Sequence, residues 1–169
     1  MTVREATPRD AAACGVIYAP FVTDTAISFE EVAPTEAEMA ARIAAAILWL
    51  VLEDEGRVVG YAYAGPFAPR AAYRWACEVS VYLEPGRSRR GGGRALYEAL
   101  LAGLRDRGYL MAVAGMTLPN PASENFHRAL GFEPVGVYRR IGWKLGAWHD
   151  VAWTQKVLAP GGSPPREPR

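Results

Sequence analysis

The chain has 169 residues, of which half are apolar and 22% are charged, and its formal net charge at pH 7 is +1. This length fits one domain with a full hydrophobic core, and the near-neutral charge argues against a general polyanion binder. Cys14 and Cys77 show neither metal-ligand spacing nor a disulfide framework, which is typical of a reducing compartment. The N-terminus lacks a signal-peptide layout and no apolar run approaches ~20 residues, so we expect a cytoplasmic protein without a membrane span. We also expect no metal site.

Capping and turn signals divide the chain into strands and helices. Asp10 is placed to cap the first helix, and Thr35-Glu-Ala-Glu38 is a capping-box pattern at the start of the second. Asp54-Glu-Gly56 separates two strand-like runs and predicts a hairpin, and Gly131 is placed to end a short helix. In chain order, the sequence predicts a strand over Thr2–Thr7, a helix ending near Val22, a loop over Thr23–Pro34, a helix over Glu36–Ala46, strands over Trp49–Glu53, Arg57–Ala64 and Trp75–Leu83, a helix ending near Gly108, a strand over Leu110–Met116, a helix over Ala122–Leu130, and strands over Val135–Arg140 and Asp150–Val157.

These elements predict a single α/β (α+β) domain with a mixed sheet over residues 1–158. The stretch 159–169 is rich in proline and glycine, and we expect it to be disordered. The last two strands are expected to be joined by a loop over Gly142–His149. The loop over Thr23–Pro34 carries Ile27 and Phe29 and is interpreted as a lid over a pocket.

A glycine- and arginine-rich turn is the most informative segment. A strand is followed by Gly86-Arg-Ser-Arg-Arg-Gly-Gly-Gly-Arg94 and then by a helix whose first turn is bare backbone. Such a turn directs several free N–H groups and the positive end of the helix dipole to one point, which suits a phosphate. Consecutive glycines at mid-chain match neither the dinucleotide pattern G-x-G-x-x-G after a first strand nor the G-K-[ST] of a triphosphate loop. The segment therefore predicts a site for another cofactor that carries a pyrophosphate.

The stretch Arg89-Arg-Gly-Gly-Gly-Arg-Ala-Leu96 resembles the coenzyme A pyrophosphate loop, [QR]-x-x-G-x-[GA], of the GNAT acetyltransferase superfamily. Ser88 departs from this pattern, because it stands where the superfamily has Gln or Arg. The segment Leu118–Phe132 resembles the second coenzyme A segment of the same superfamily. The resemblance implies a GNAT-type mixed central β-sheet flanked by helices, with acetyl-CoA as cosubstrate. It implies cofactor contacts for the splayed end of a strand, for the loop and for one asparagine, namely Ser80, Val81, Tyr82, Ser88, Arg89, Arg90, Gly91, Gly92, Gly93, Arg94 and Asn120.

Within the superfamily, the chain resembles the phosphinothricin and methionine sulfoximine N-acetyltransferases. The resemblance implies transfer of acetyl from acetyl-CoA to the free amino group of such an amino-acid analogue, and a homodimer. It spans most of residues 3–158 in the family's order. The segments that carry it are Tyr63-Ala-Gly-Pro66, Arg70-Ala-Ala-Tyr73, Glu78-x-x-Val-Tyr82, Leu118-Pro-Asn120 with His127, and Gly142-x-Lys-x-Gly-x-Trp-x-Asp150.

Glu78 and His127 are the predicted catalytic residues. An α-amino group with a pKa near ~8 is mostly protonated at neutral pH, so a base is useful. Glu78 lies mid-strand ahead of the cofactor loop and matches the family's base position; its ordinary alternative is a solvated strand carboxylate. His127 stands where many superfamily members have a tyrosine that acts as the general acid. It is interpreted as the proton donor to the thiolate or as a partner of Glu78. Alternation turns Cys77 away from Glu78, so direct transfer is preferred over an acyl-enzyme.

The acceptor site is predicted from a second group of residues. Arg70 and Tyr73 are candidates to hold the carboxylate of an amino-acid analogue, because a guanidinium fork binds a carboxylate with two hydrogen bonds. Phe29 is a candidate wall of the pocket, and Lys144 and His149 are candidates to reach the other end of the acceptor. Each of these alone has a plain surface or core role as its alternative, and Asn120 has a turn-forming role before Pro121.

Other functions stay open at this point. A nucleic-acid site at Arg87–Arg94 is disfavoured, because a second basic stripe and interleaved aromatic residues are missing. A non-catalytic coenzyme A sensor is disfavoured by the presence of both Glu78 and His127. Within the acetyltransferases, the acceptor could also be another amino acid, a small amine or a protein N-terminus.

Overall fold

The computed structural model describes residues 1–87 and 91–169, and within these ranges it contains seven strands and four α-helices. In chain order they are β1 (Thr2–Glu5), α1 (Ala11–Thr23), α2 (Glu36–Ala45), β2 (Leu48–Asp54), β3 (Arg57–Pro66), β4 (Ala76–Leu83), α3 (Gly92–Asp106), β5 (Met111–Thr117), α4 (Pro121–Ala129), β6 (Glu133–Lys144) and β7 (Ala147–Val157). The strands form one sheet in the order β1-β2-β3-β4-β5-β7-β6. Only β4 and β5 pair in parallel among these neighbours, so the predicted mixed sheet is confirmed.

Three predicted cap and turn signals begin or end elements where expected. Thr35 caps α2 reciprocally, since Glu38 N donates to Thr35 Oγ1 at 3.3 Å and Thr35 N donates to Glu38 Oε2 at 2.7 Å. Glu55 and Gly56 turn the β2–β3 hairpin with positive φ angles of 52° and 76°, as a two-residue turn requires. Gly131 follows α4 with a φ of 80°, in the left-handed region that ends helices.

Two local predictions are wrong. The Asp10 side chain does not cap α1; its Oδ2 accepts from Thr7 N at 2.7 Å, because a 3₁₀ turn over Pro8–Asp10 precedes the helix. The loop predicted over 142–149 is mostly strand, because β6 and β7 continue to a two-residue turn. A register shift between residues 138 and 142 breaks the alternation that would have revealed the longer strands.

Helices cover both faces of the sheet and create two apolar cores. On one face, Leu96, Leu100 and Leu104 of α3 are fully buried in the predicted stripe. On the other face, α1 and α2 pack over β2 and β3. Along β4, Cys77 lies in the α3 core and Tyr82 packs against the other, so the predicted alternation is confirmed.

The C-terminal segment 159–169 contains neither helix nor strand. Its backbone contacts the domain, since Trp75 Nε1 donates to Arg166 O at 2.7 Å and Arg169 N donates to Arg107 O at 2.8 Å. The disorder predicted for this segment, like the boundary at residue 158, stays a prediction. Over residues 1–87 and 91–169, no helix has both the length and the apolar character needed to cross a membrane.

Candidate active site

Strands β4 and β5 pair over only a short stretch and then separate. The parallel ladder joins Ala76–Glu78 to Met111–Val113, whereas β4 stays paired with β3 as far as Leu83. From Val79 onward, the β5 side of β4 has no strand partner among the described residues. Backbone N–H and C=O groups of an unpaired strand edge can pair with an extended ligand. The separation at residues 80–82 that the resemblance implied is therefore present, and a ligand on this edge stays a prediction.

The glycines at the start of α3 serve different steric purposes. Gly91 precedes the helix with a φ of 80°, which a residue with a side chain adopts only under strain. Gly92 is buried, and a Cβ placed on it would lie 2.5 Å from Leu52 Cδ2. At Gly93 the nearest atom would be 3.5 Å away, an ordinary contact. The first N–H groups of α3 have no intrahelical acceptor, so this end of the helix can receive an anion, as predicted.

Two arginines around this turn already hold carboxylates. Arg87 pairs with Asp54 and, at 3.0 Å, with Glu84 Oε2. Arg94 pairs with Glu98 one helical turn later at 2.9 Å. Phosphate contacts for Arg94 and for Gly91–Gly93 stay predictions. The predicted contacts of Ser88, Arg89 and Arg90 lie outside the described residues.

Glu78 stands at the point where the two strands separate. It is the last paired residue of β4 in the parallel ladder, opposite Val113, and its side chain is half-buried. Burial raises the pKa of the Glu78 carboxyl above its ordinary value, and no opposite charge or hydrogen bond from the described residues counteracts this rise. A carboxylate whose pKa is raised in this way is a stronger proton acceptor for an amine.

His127 is buried on α4, and its ring has three groups within hydrogen-bond distance. Its Nδ1 lies 2.8 Å from Ser123 O and 3.3 Å from Ser123 Oγ, and its Nε2 lies 3.1 Å from Tyr97 Oη. Because a carbonyl only accepts, Nδ1 carries the proton, and Nε2 accepts from the Tyr97 hydroxyl. Burial lowers the pKa of His127, which favours this neutral form. The structure thus brings Tyr97, rather than Glu78, to the free nitrogen of His127.

Tyr97 is a residue that the sequence analysis missed. It lies on α3, fully buried, with its ring centroid 5.4 Å from that of His127. Burial is the main cause of its raised pKa, and the nearby charge of Glu78 contributes to the rise. A signal was present, because Tyr97 adjoins the Leu96, Leu100 and Leu104 stripe, and a buried tyrosine hydroxyl needs a hydrogen-bond partner.

A cavity of about 480 Å³ opens on the Glu78 face of the sheet, between the 67–73 segment and β6. Ala76 and Val113 line it; one lies two residues before Glu78 and the other pairs with Glu78. Tyr73 also lines it and meets the Phe67 ring edge-on at 5.5 Å, so this predicted acceptor residue lies beside a cavity. Arg70 is exposed just before Tyr73 and does not line the cavity. Sequence analysis missed the remaining aromatic walls, which are Phe67, Tyr138 and Trp153.

The other predicted acceptor residues contact one another. Lys144 Nζ donates to Val22 O at 2.6 Å and to Ser28 O at 2.5 Å, and only 6% of Lys144 is exposed. His149 Nε2 donates to Lys144 O at 2.9 Å, and the Phe29 and His149 ring centroids are 6.2 Å apart. These contacts join the 23–34 loop to the β6–β7 hairpin. A contact of Phe29, Lys144 or His149 with an acceptor stays a prediction.

Asn120 has the local structural role before Pro121 that was the alternative to a cofactor contact. Its Oδ1 accepts from Ser123 N at 3.1 Å, which caps α4 directly before Pro121. Its predicted contact with the pantetheine of coenzyme A stays a prediction.

Comparison with known proteins agrees with this geometry. Residues 3–153 match the acetyltransferase (GNAT) domain family. The chain is 39% identical over 165 residues to the phosphinothricin N-acetyltransferase of Alcaligenes faecalis, covering 95% of this chain and 84% of that protein. It is 34% identical over 162 residues to the L-methionine sulfoximine/L-methionine sulfone acetyltransferase of Salmonella typhimurium, covering 94% and 95%. A GNAT superfamily phosphinothricin acetyltransferase from Sinorhizobium meliloti, solved in complex with AcCoA, matches with a TM-score of 0.91 and 36% identity over 99% of this chain and 92% of that one. The chain therefore belongs to the GNAT acetyltransferase family and is an acetyl-CoA-dependent N-acetyltransferase.

Proposed function

We propose that this enzyme transfers the acetyl group directly to the free amino group of phosphinothricin, methionine sulfoximine or a similar amino-acid analogue. The observation that carries the proposal is the place of Glu78, a half-buried carboxylate at the point where the strands separate, on the sheet face that carries the 480 Å³ cavity. The names of the relatives from Alcaligenes faecalis and Salmonella typhimurium support this class of acceptor.

The residues of the opening fit acetyl-CoA. The unpaired edge of β4 over Ser80–Tyr82 offers backbone groups to an extended pantetheine, and the bare first turn of α3 offers N–H groups to its pyrophosphate. Gly92 packs so closely on Leu52 that a side chain would displace Leu52 or this turn. When bound, acetyl-CoA supplies an activated acetyl group on a thiol leaving group. Backbone N–H groups of β4 are the donors that would stabilise negative charge on the carbonyl oxygen.

Glu78 takes the proton from the attacking amine. Its raised pKa brings the carboxyl closer to the pKa of the ammonium, which lowers the free-energy cost of the transfer. The carboxylate reaches the amine from the sheet face that carries the cavity. Cys77 lies in the opposite core, and burial raises the pKa of its thiol to about 12, so direct transfer is favoured over an acyl-enzyme.

Tyr97 and His127 form a buried hydrogen-bonded pair. The neutral imidazole points its only N–H at Ser123 O, so it has no proton on Nε2 to give to the leaving sulfur. The Tyr97 hydroxyl, fully buried in the same core as Cys77, donates its proton to Nε2. We therefore give this pair the role of positioning α4 against α3, and the leaving sulfur takes up the proton that Glu78 received from the amine.

A homodimer is part of the proposal. Strand β6 forms one edge of the sheet, and its hairpin with β7 exposes large apolar side chains, among them Ile141 and Trp143, each with 57% of its surface accessible. An exposed apolar strand edge of this kind is covered in most proteins. A second copy of the chain is the proposed cover, and molar mass from light scattering tests it.

The proposed cytoplasmic location agrees with the free thiols of Cys14 and Cys77.

A thiol-release assay with acetyl-CoA tests the acceptor directly. The panel contains phosphinothricin, methionine sulfoximine, the standard amino acids, small amines and a peptide with a free N-terminus. We expect the two analogues to give the highest kcat/KM. Turnover confined to another amine or to the peptide would reject the proposed acceptor and leave the N-acetyltransferase activity in place.

A further inference from the structure

Lys144 has an unusual environment for a lysine. It is one of two lysines in a chain that has 19 lysines and arginines together, and 94% of its surface is buried. A buried ammonium group needs acceptors, and Lys144 Nζ finds them in the backbone carbonyls of Val22 and Ser28. Val22 lies in the last turn of α1, and Ser28 lies in the middle of the 23–34 loop. One side chain of the β6–β7 hairpin therefore fixes the end of α1 and the middle of this loop.

A second contact joins the same loop to the same hairpin. The Phe29 ring lies against Gly142 of β6, where a Cβ would overlap the ring. The hairpin thus contacts the loop at two positions of β6. Gly142 leaves room for the Phe29 ring, and two residues later Lys144 brings its ammonium group. Both contacts position the loop, and neither leaves the Lys144 ammonium free to bind an acceptor.

From Ser28, hydrogen bonds continue across the loop to the helices. Ser28 Oγ lies 2.7 Å from Tyr18 Oη, which in turn donates to Glu30 Oε1 at 2.9 Å. Arg42 of α2 binds the Glu30 carboxylate with two hydrogen bonds of 2.7 and 2.8 Å. The position of the loop therefore determines how Tyr18 and Arg42 are held.

Tyr18 and Arg42 line a second cavity, of about 230 Å³, on the β3 side of β4. Its wall includes Tyr63 and Gly65, and Gly65 pairs with Glu78 in the β3–β4 ladder. The network that begins at Lys144 thus reaches the neighbourhood of the catalytic base.

We propose that Lys144 is a positioning residue, whose ammonium holds the 23–34 loop against the β6–β7 hairpin and so shapes the second cavity, on the β3 side of Glu78, as part of the acceptor site. The inference rests on the proposed function for its kinetic readout. Its structural readout, the opening of the loop, is independent of which acceptor the enzyme uses.

The variant Lys144→Met tests the proposal, because methionine keeps an apolar chain of similar length and removes the ammonium. We expect KM for the acceptor to rise roughly tenfold or more, since small displacements of binding groups have large kinetic effects. KM for acetyl-CoA should stay within about twofold, and kcat should fall less than KM rises. Protease Glu-C, read by mass spectrometry, should cut faster after Glu30 and Glu31.

Lys156→Met is the matched control. Lys156 Nζ also donates to a backbone carbonyl, Leu130 O at 2.8 Å, but far from the loop. This variant should leave acceptor KM and loop cleavage as in the wild type. If no acceptor of the proposed class is turned over, the cleavage assay still decides the role of Lys144.

Gly142→Ala is a second route to the same loop, for the case that Lys144→Met does not fold. Its methyl group should displace Phe29 and raise both acceptor KM and cleavage after Glu30. A folded Lys144→Met or Gly142→Ala with wild-type acceptor KM and a protected loop would overturn the proposal. Equal increases of both KM values, with cleavage throughout the chain, would overturn it as well, because they indicate a general stabilising role.

Discussion

The cofactor side and the acceptor side of the β4–β5 opening differ in the groups that they offer to a ligand, backbone on one side and side chains on the other. The proposed cofactor side consists of backbone, namely an unpaired strand edge and the first turn of α3 with Gly91 and Gly92. The proposed acceptor side consists of side chains from distant parts of the chain, such as Phe67 and Trp153 around the larger cavity and Tyr18 and Arg42 around the second one. A backbone site is encoded by a few consecutive residues, whereas a side-chain site depends on how the whole domain packs. The two sides should therefore respond differently to substitution.

Glu78→Gln should have the largest effect and should leave the cofactor side intact. Loss of a general base lowers kcat by about 10²- to 10⁴-fold, while KM for acetyl-CoA should not change. In the wild type, the acid limb of the pH profile should lie above the ordinary range of a glutamate, because burial raises the Glu78 pKa. The variant should lose this limb.

Thermal unfolding separates this effect from misfolding. Since the raised pKa means that the fold disfavours the ionised carboxylate, stability falls as pH rises through the folded pKa, and neutral Gln should keep or raise Tm. A variant with wild-type kcat, or with a lower Tm that accounts for the lost activity, would remove Glu78 as the base.

Tyr97→Phe should have the next largest effect. It keeps the ring that packs against His127 and removes the hydroxyl that donates to Nε2. We expect kcat to fall by up to roughly tenfold, because α4 loses a hydrogen bond that positions His127, with a smaller change in either KM. The deficit should be the same for thioesters whose leaving thiols differ in pKa, because Tyr97 does not protonate the sulfur. A deficit that shrinks as the pKa of the leaving thiol falls would instead indicate proton donation by Tyr97.

Gly92→Ala and Gly93→Ala form a matched pair on the cofactor side. A methyl group at Gly92 would meet Leu52 at 2.5 Å, whereas at Gly93 the nearest contact is 3.5 Å. Overpacking of this kind costs about 1–3 kcal/mol of stability, so Gly92→Ala should lower Tm and raise KM for acetyl-CoA. Gly93→Ala should change both little, and acceptor KM should stay constant in both variants. Equal effects of the two substitutions would show that the turn is not limited by packing on Leu52.

The contrast between the two sides also explains what the sequence could predict. The capping box at Thr35, the Glu55-Gly56 turn and the glycine turn before α3 are local patterns, and the structure contains each of them. Lys144 could not be assigned in this way, because its acceptors at Val22 and Ser28 lie more than a hundred residues away along the chain. Its position in the last hairpin makes it a candidate to reach the acceptor, but the sequence does not give its contacts.

The pairing of His127 with Tyr97 was missed for the same reason. The two residues are 30 positions apart, and their contact depends on the packing of α4 on α3. The sequence supplied the histidine and its neighbourhood, but the tautomer is set by Ser123 O and the partner by tertiary structure. The β6–β7 hairpin was shortened in the prediction because positive φ at Arg140 and a register shift interrupt its alternation.

The smallest predicted effect concerns the pH dependence of stability. Burial lowers the pKa of His127, so below about pH 6.5 the unfolded chain binds more protons than the folded one. Stability should therefore fall as pH decreases below that value. His127→Asn, whose amide can still donate to Ser123 O, should flatten this loss, measured as Tm against pH. His149→Asn removes the other histidine and should retain the loss on acidification. Equal slopes in the wild type and His127→Asn would mean that His127 is not kept neutral by the fold, and the direction of its hydrogen bond with Tyr97 would then have to be reversed.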